Sequence, residues 1–125
     1  MPDQTRGGKL AAFTRGADRC RVYTALAALA EAGIPLGEGL RRLAEAYGES
    51  TLRGELAPAL SGAAEAVEGG VGPGTALLGA FQGLLPEERA LLAAADVPVR
   101  AAAAISGAAA LLALEANLAS RGPGR

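Results

Sequence analysis

The stretch AEAGIPLGEGL, Ala30 to Leu40, puts three glycines and a proline within seven residues, between two segments that otherwise read as helix. Gly33 offers the positive φ that a helix C-terminus favours, and Pro35, with its fixed φ and missing N–H, suits the first turn of a new helix. The stretch is therefore a corner that folds two helices back on each other. Ile34 and Leu36 are placed to pin that corner to the core, while Gly37 and Gly39 lighten one face of the second helix so that a neighbour can approach.

Outward from the corner the apolar residues keep a helical period. Upstream, Asp18 is a candidate N-cap, and Val22, Ala25, Leu26, Leu29 and Ala30 form a stripe ending at Gly33. Downstream, Leu36, Leu40, Leu43 and Tyr47 line one face up to Gly48. A third helix is expected from Ser50 to Glu68, on Leu52, Leu56, Leu60, Ala63 and Val67, with Gly69 and Gly70 as its exit. Pro58 lies well inside that segment and predicts a kink, since a proline in a regular helix costs about 3 kcal/mol. A short helix from Thr75 to Phe81 and a fifth starting at Pro86 follow, the latter opening with Glu87 and Glu88, charges that suit a helix N-terminus. ADVPVR then breaks the chain before a last helix from Val99 to Ala119.

The composition agrees with this outline. Of 125 residues, 31 are Ala and only 28 are Leu, Ile, Val or Phe, so the core is small and its helices can approach closely. With five Val, two Ile, no Trp and no alternating run, little is left from which to build a sheet. The expected fold is all-α: one compact domain of about six helices in antiparallel hairpins over residues 18–119, with a flexible basic lead at 1–17 and a frayed tail at 120–125.

The net charge of −1 is unevenly spread, with +3 on residues 1–21, −6 on 22–99 and +2 on 100–125. A basic head on an acidic body can touch anionic lipid, an acidic partner or nucleic acid; the plainer reading is a solvated terminus, and no nucleic-acid partner is expected. Cys20 is the only cysteine, which precludes an internal disulfide and fits a reducing compartment. The N-terminus lacks the apolar core of a signal peptide. The longest uncharged apolar run, AAAAISGAAALLAL between Arg100 and Glu115, is shorter than the roughly 20 residues a bilayer needs, so a buried helix and a cytoplasmic chain are expected.

Catalytic and cofactor chemistry has little to stand on. The chain has no histidine, so neither a Cys-His nor a Ser-His-Asp nucleophile can be assembled, and zinc lacks its usual donors. GGVGPG, Gly69 to Gly74, has no Gly-Lys-Ser/Thr ending and follows a helix, so it matches no nucleotide fingerprint. Two carboxylate pairs, Glu65 with Glu68 and Glu87 with Glu88, are candidates for Mg²⁺ or Ca²⁺ only if their oxygens converge; solvated helix faces are the simpler reading. Arg41, Arg42, Arg53, Glu45 and Glu49 read as surface partners one helical turn apart. No enzyme and no cofactor are expected. On the last helix Ile105, Ala108, Ala109, Leu112 and Ala116 share one face, with Leu111, Leu114 and Leu118 beside it. That stripe is too wide for one small core, which makes Ile105, Leu111, Leu112 and Leu118 a candidate interface.

The run from Tyr23 to Asp96 resembles the cytoplasmic domain of the type II secretion system protein F family, the inner-membrane platform proteins of type II secretion and type IV pilus machines. The resemblance rests on Tyr23, Leu26 and Ala27, then Ala32, Gly33, Ile34, Pro35 and Leu36, then Leu40 and Leu43. Further along it rests on Gly70, Gly72, Gly74, Ala76, Leu77, Phe81, Leu85 and Pro86. It covers about residues 19–118 and concerns helix boundaries, with Gly33, Pro35, Gly70 and Pro86 as structural turns. It departs from the family at AADVPVR, where Asp96 stands in place of a Glu and Pro98 near a glycine, and family members repeat the domain and carry membrane spans. The resemblance implies a non-enzymatic scaffold that docks the cytoplasmic assembly ATPase and other inner-membrane components and meets the membrane only through segments absent from this chain; a homodimer through helical faces is a further expectation. The alternative is a stand-alone adaptor that binds another partner through its basic N-terminus.

Overall fold

The computed structural model describes residues 12–49 and 56–120. A two-residue strand β1 (Ala12–Phe13) leads into α1 (Gly16–Glu31), α2 (Leu36–Gly48), α3 (Leu56–Glu68) and α4 (Pro73–Ala80). A second two-residue strand β2 (Phe81–Gln82), then α5 (Pro86–Ala94), a 3₁₀ turn (Pro98–Arg100) and α6 (Ala101–Ser120) complete the chain. The all-α bundle read from the sequence is what forms. Successive helices pack on one another, and α1 closes the arrangement by lying against α6.

The parallel pairing of Ala12 with Phe81 and Phe13 with Gln82 was not expected from the sequence. Two residues carry no alternation that could announce a strand. The pairing ties the chain ahead of α1 to the end of α4, so the packed part of the chain includes residues ahead of Asp18. Asp18 is likewise not the N-cap: α1 starts at Gly16 with Arg15 before it, and Asp18 sits in the first turn, where an acidic residue suits the helix dipole. Pro58 is the third described residue of α3, and the helix continues from it to Glu68. Ser50 to Glu55, with Arg53 among them, lie outside the described residues.

The corner at Ala30–Leu40 takes the form its residues predict. Gly33 has φ +92°, its N–H donates to the carbonyl of Ala30, and the Ile34 N–H reaches back to Leu29 at 3.0 Å, the double bond pattern of a Schellman cap. Gly70 repeats it at φ +108°, with Gly70 donating to Val67 and Val71 to Ala66. Gly39 serves a second purpose, since a β-carbon there would come within 3.1 Å of Leu26 Cδ1, so α2 closes onto α1 where a side chain is missing.

Twelve of the 23 buried apolar residues are alanines, which draws the helix axes together around Tyr23, Leu26, Leu40, Leu60, Leu77, Leu92 and Ile105. Close packing of α1 on α6 brings Cys20 Sγ within 3.4 Å of the Ala109 carbonyl oxygen. Helix α6 divides into two parts. Ala101, Ala104, Ile105, Ala108, Ala109 and Leu112 enter the core, whereas Ala113 to Ala119 are exposed on every side. Pro98–Ala119, with mean hydropathy 1.5, is long and apolar enough by length and composition to cross a membrane, and 28% of that window is buried in the bundle. The candidate interface is corrected accordingly. Ile105 and Leu112 are core residues of this chain and Leu111 is half-buried, which leaves Leu118 and, beside it, Leu114 exposed.

The glycines at 33 and 74 separate two kinds of cost. A β-carbon at Gly33 meets nothing within 4 Å, so Gly33→Ala strains only the backbone, by about 1–2 kcal/mol. At Gly74 it would lie 1.8 Å from the Leu92 carbonyl oxygen, so Gly74→Ala must push α4 off α5. Thermal denaturation should show the Gly74 variant as clearly the less stable of the two.

Candidate functional site

The buried polar centre of the molecule is built from two helix starts. Glu88, the third residue of α5, is fully buried, and Arg19 in the first turns of α1 is 4% exposed. Arg19 Nε donates to Glu88 Oε2 at 2.7 Å and Arg19 Nη2 to Oε1 at 2.9 Å, a bidentate pair. Tyr23, one turn beyond Arg19, donates its hydroxyl to Oε2 at 2.5 Å, and the Leu85 N–H donates to Oε1 at 3.1 Å. Arg19 Nη1 is taken by the Thr14 carbonyl at 2.6 Å. Each carboxylate oxygen thus accepts two hydrogen bonds, as many as its lone pairs allow.

This arrangement locks protons in place. Burial would lower the Arg19 pKa, but the hydrogen bonds and charge of Glu88 outweigh it and the guanidinium is held above its ordinary range. Burial, aided by the Glu88 carboxylate, pushes the Tyr23 phenol far above its ordinary value. The Tyr23 ring meets Phe81 edge to face at 6.2 Å and 70°. The cluster can orient helices and hold an adjoining surface, but its carboxylate is fully occupied and has no lone pair left to act as a base.

Beside the cluster a cleft of about 460 Å³ opens between the start of α1 and the end of α6. Thr14, Arg15, Gly16, Ala17 and Arg19 form one side, Leu112, Glu115, Ala116 and Ala119 the other, with Gly83 and Leu85 between them.

A second site holds α4. The Asp96 carboxylate accepts the Thr75 N–H at 2.9 Å and the Thr75 hydroxyl at 2.6 Å, capping the helix from a distant loop. These bonds, with a further one from the Gly74 backbone, hold the Asp96 pKa below its ordinary 3.8. Gly72 makes room for the contact, since a β-carbon there would lie 2.2 Å from Asp96 Oδ1. GGVGPG is thus a helix exit followed by a close helix start, and Asp96, where the resemblance departs from its family, is a helix cap.

The carboxylate pairs do not converge. Glu88 is buried against Arg19 while Glu87 faces solvent. Glu68 is held by Arg41 in a bidentate pair at 2.8 Å between α2 and α3, which lowers the carboxyl pKa and raises that of the guanidinium. Arg42 bonds Glu38 one turn away at 2.7 Å, a local surface pair with a partner other than the expected Glu45 or Glu49, whereas Arg41 reaches across helices. Among the described residues no three metal-ligating side chains gather. No protein-family model, curated protein or solved structure matches the chain.

The Arg19–Glu88 pair was missed in the sequence, although a signal was there. Arg19 continues the stripe of Tyr23, Leu26 and Ala27, and Glu88 that of Leu92 and Ala95, so both charges fall on apolar faces. Removing one partner of a buried pair costs about 3–5 kcal/mol, so Glu88→Gln should lower stability by that amount in chemical denaturation. Tyr23→Phe removes one hydrogen bond to a charged group and should cost less, about 1.5–3 kcal/mol. For Asp96 the folded pKa is depressed, so its contribution is complete above the ordinary value of 3.8 and fades as pH falls below it. Asp96→Ala should cost about 1 kcal/mol at neutral pH, and denaturation curves of the two proteins should converge in acid.

Proposed function

We propose that this chain is a non-enzymatic docking domain of a type II secretion or type IV pilus assembly platform, binding the cytoplasmic assembly ATPase and neighbouring inner-membrane components. The observation that carries the reading is the placing of turns. The Gly33–Pro35 corner, the Gly70 cap, the close approach at Gly74 and the helix start at Pro86 stand at the boundaries on which the resemblance to the protein F family rests. The buried cluster supports the same reading, because its charged groups are spent on one another and serve rigidity. Self-association belongs to this proposal and falls to the exposed end of α6, at Leu114 and Leu118.

Copurification of the chain with an assembly ATPase encoded beside it tests the reading. Removal of residues 1–11, which leaves β1 and α1 intact, should preserve the complex. An adaptor that used its basic head would lose its partner on the same deletion, and failure of the intact chain to retain the ATPase would end the platform reading. Light scattering at micromolar concentration should show a dimer that Leu118→Glu dissociates.

A further inference from the structure

Helix α6 turns a second face away from the bundle. Val99, Ala103, Ser106, Ala110 and Leu114 recur at intervals of three and four residues, and all five are exposed, Val99 at 88% and Leu114 at 54%. The bulk on this face is unevenly placed. Val97 and Val99 at one end and Leu114 and Leu118 at the other are four of the five large apolar side chains that the described residues expose, while from Ala101 to Ala113 the exposed positions hold only Ala and Ser. The charges are divided in the same way. Arg100 precedes the helix, Glu115 is the only charged residue within it, and neither forms an ion pair with a described residue.

A face of this kind is complementary to itself. In an isologous pair a two-fold axis relates the copies, so each contact occurs twice and a residue at one end of the patch meets one from the other end. Laid antiparallel about Ser106 and Gly107, two α6 helices set Val99 against the partner's Leu114 and Ala103 against the partner's Ala110. Each charge follows the large apolar residue at its end by one position, so both lie on the same flank of the stripe, and in an antiparallel pair like flanks meet. Arg100 then comes within side-chain reach of the partner's Glu115, about 3 Å farther along the axis at 1.5 Å per residue. A parallel pair would instead place Arg100 beside Arg100 and Glu115 beside Glu115, like charges that oppose it. The small side chains of Ala103, Ser106 and Ala110 let the backbones draw near, since interaxial distance follows the side chains at the contact. Hydrocarbon is a poorer cover, because it would bury the Ser106 hydroxyl and leave Arg100 and Glu115 without partners. We propose that α6 binds α6 of a second copy in antiparallel fashion, closed by two Arg100–Glu115 pairs; this rests on the self-association already proposed for the helix and gives it a geometry.

Sedimentation of the full chain and of charge variants tests this. The parent should be a dimer at micromolar concentration. Arg100→Glu and Glu115→Arg should each raise the dimer dissociation constant roughly tenfold, since both pairs are lost at once and like charges face each other, and the double variant should restore it. Both positions are exposed, so the helical circular dichroism of each variant should match the parent's. Cross-linking in a Cys20→Ser background reads the direction. Ser106→Cys, near the two-fold axis, should form a disulfide with its own copy, whereas Val99→Cys should cross-link to Leu114→Cys and not to itself. Val99→Cys pairing with itself, or charge reversal without rescue, would overturn the antiparallel pair, and self-association would still stand if Leu118→Glu dissociates the dimer. A chain that stays monomeric at hundreds of micromolar, or that cofloats as a monomer with phosphatidylglycerol vesicles, would overturn both, while copurification of the ATPase reads the platform role separately.

Discussion

The pairing of Arg19 with Glu88 is the constraint on which the rest of the bundle depends. It joins the start of α1 to the start of α5, two helices separated by most of the chain, and Tyr23 and the Leu85 amide complete the carboxylate's shell. Desolvating two charges is expensive and is offset only by close hydrogen bonding; here both carboxylate oxygens accept two hydrogen bonds each and each guanidinium nitrogen of Arg19 donates once. The geometry also fixes a register. Arg19 reaches back to the Thr14 carbonyl, so the ion pair positions the turn before α1 and with it the short ladder of Ala12 and Phe13 on β2. One interaction sets where α1 begins, how α5 meets it, and where the cleft opens.

Around that fixed point the packing is governed by small residues. Large apolar side chains are few, so stability comes from bringing many alanine faces together, and backbones must come close for such faces to gain contact. The glycines do specific work within this scheme. Gly33 and Gly70 end helices in the left-handed conformation, Gly39 admits Leu26, and Gly72 and Gly74 let the start of α4 sit against Leu92 and Asp96. A chain that relies on proximity instead of bulk tolerates few extra atoms at these places.

How much of this could be read from the sequence follows from the range of each interaction. Corners at Gly33 and Gly70 and the helix start at Pro86 depend on residues within a turn of one another, so their letters disclose them. The α4 cap does not, because its acceptor Asp96 lies 21 residues from Thr75. Glu88 reads locally as an acidic residue favouring a helix N-terminus, and it does accept the Leu85 N–H in that way. Its burial depends on Arg19, 69 positions earlier. Of the candidate interface, Ile105 and Leu112 share a face with alanines too small to mark which side is the core, so the period of α6 gave its stripe without its direction.

The two halves of α6 show how one helix can serve two environments. Up to Leu112 its face is matched by α1 and α5, and the alanines there are small because a neighbour lies close. Beyond Leu112 the same composition continues on residues that are exposed, with Leu114 and Leu118 each 54% exposed. The apolar character kept past the edge of the bundle, next to the uncapped start of α1 and the unpaired Thr14 hydroxyl, makes this end of the molecule the place where its internal interactions are least complete. A surface whose apolar atoms lack partners among the described residues is where a second molecule gains most by binding.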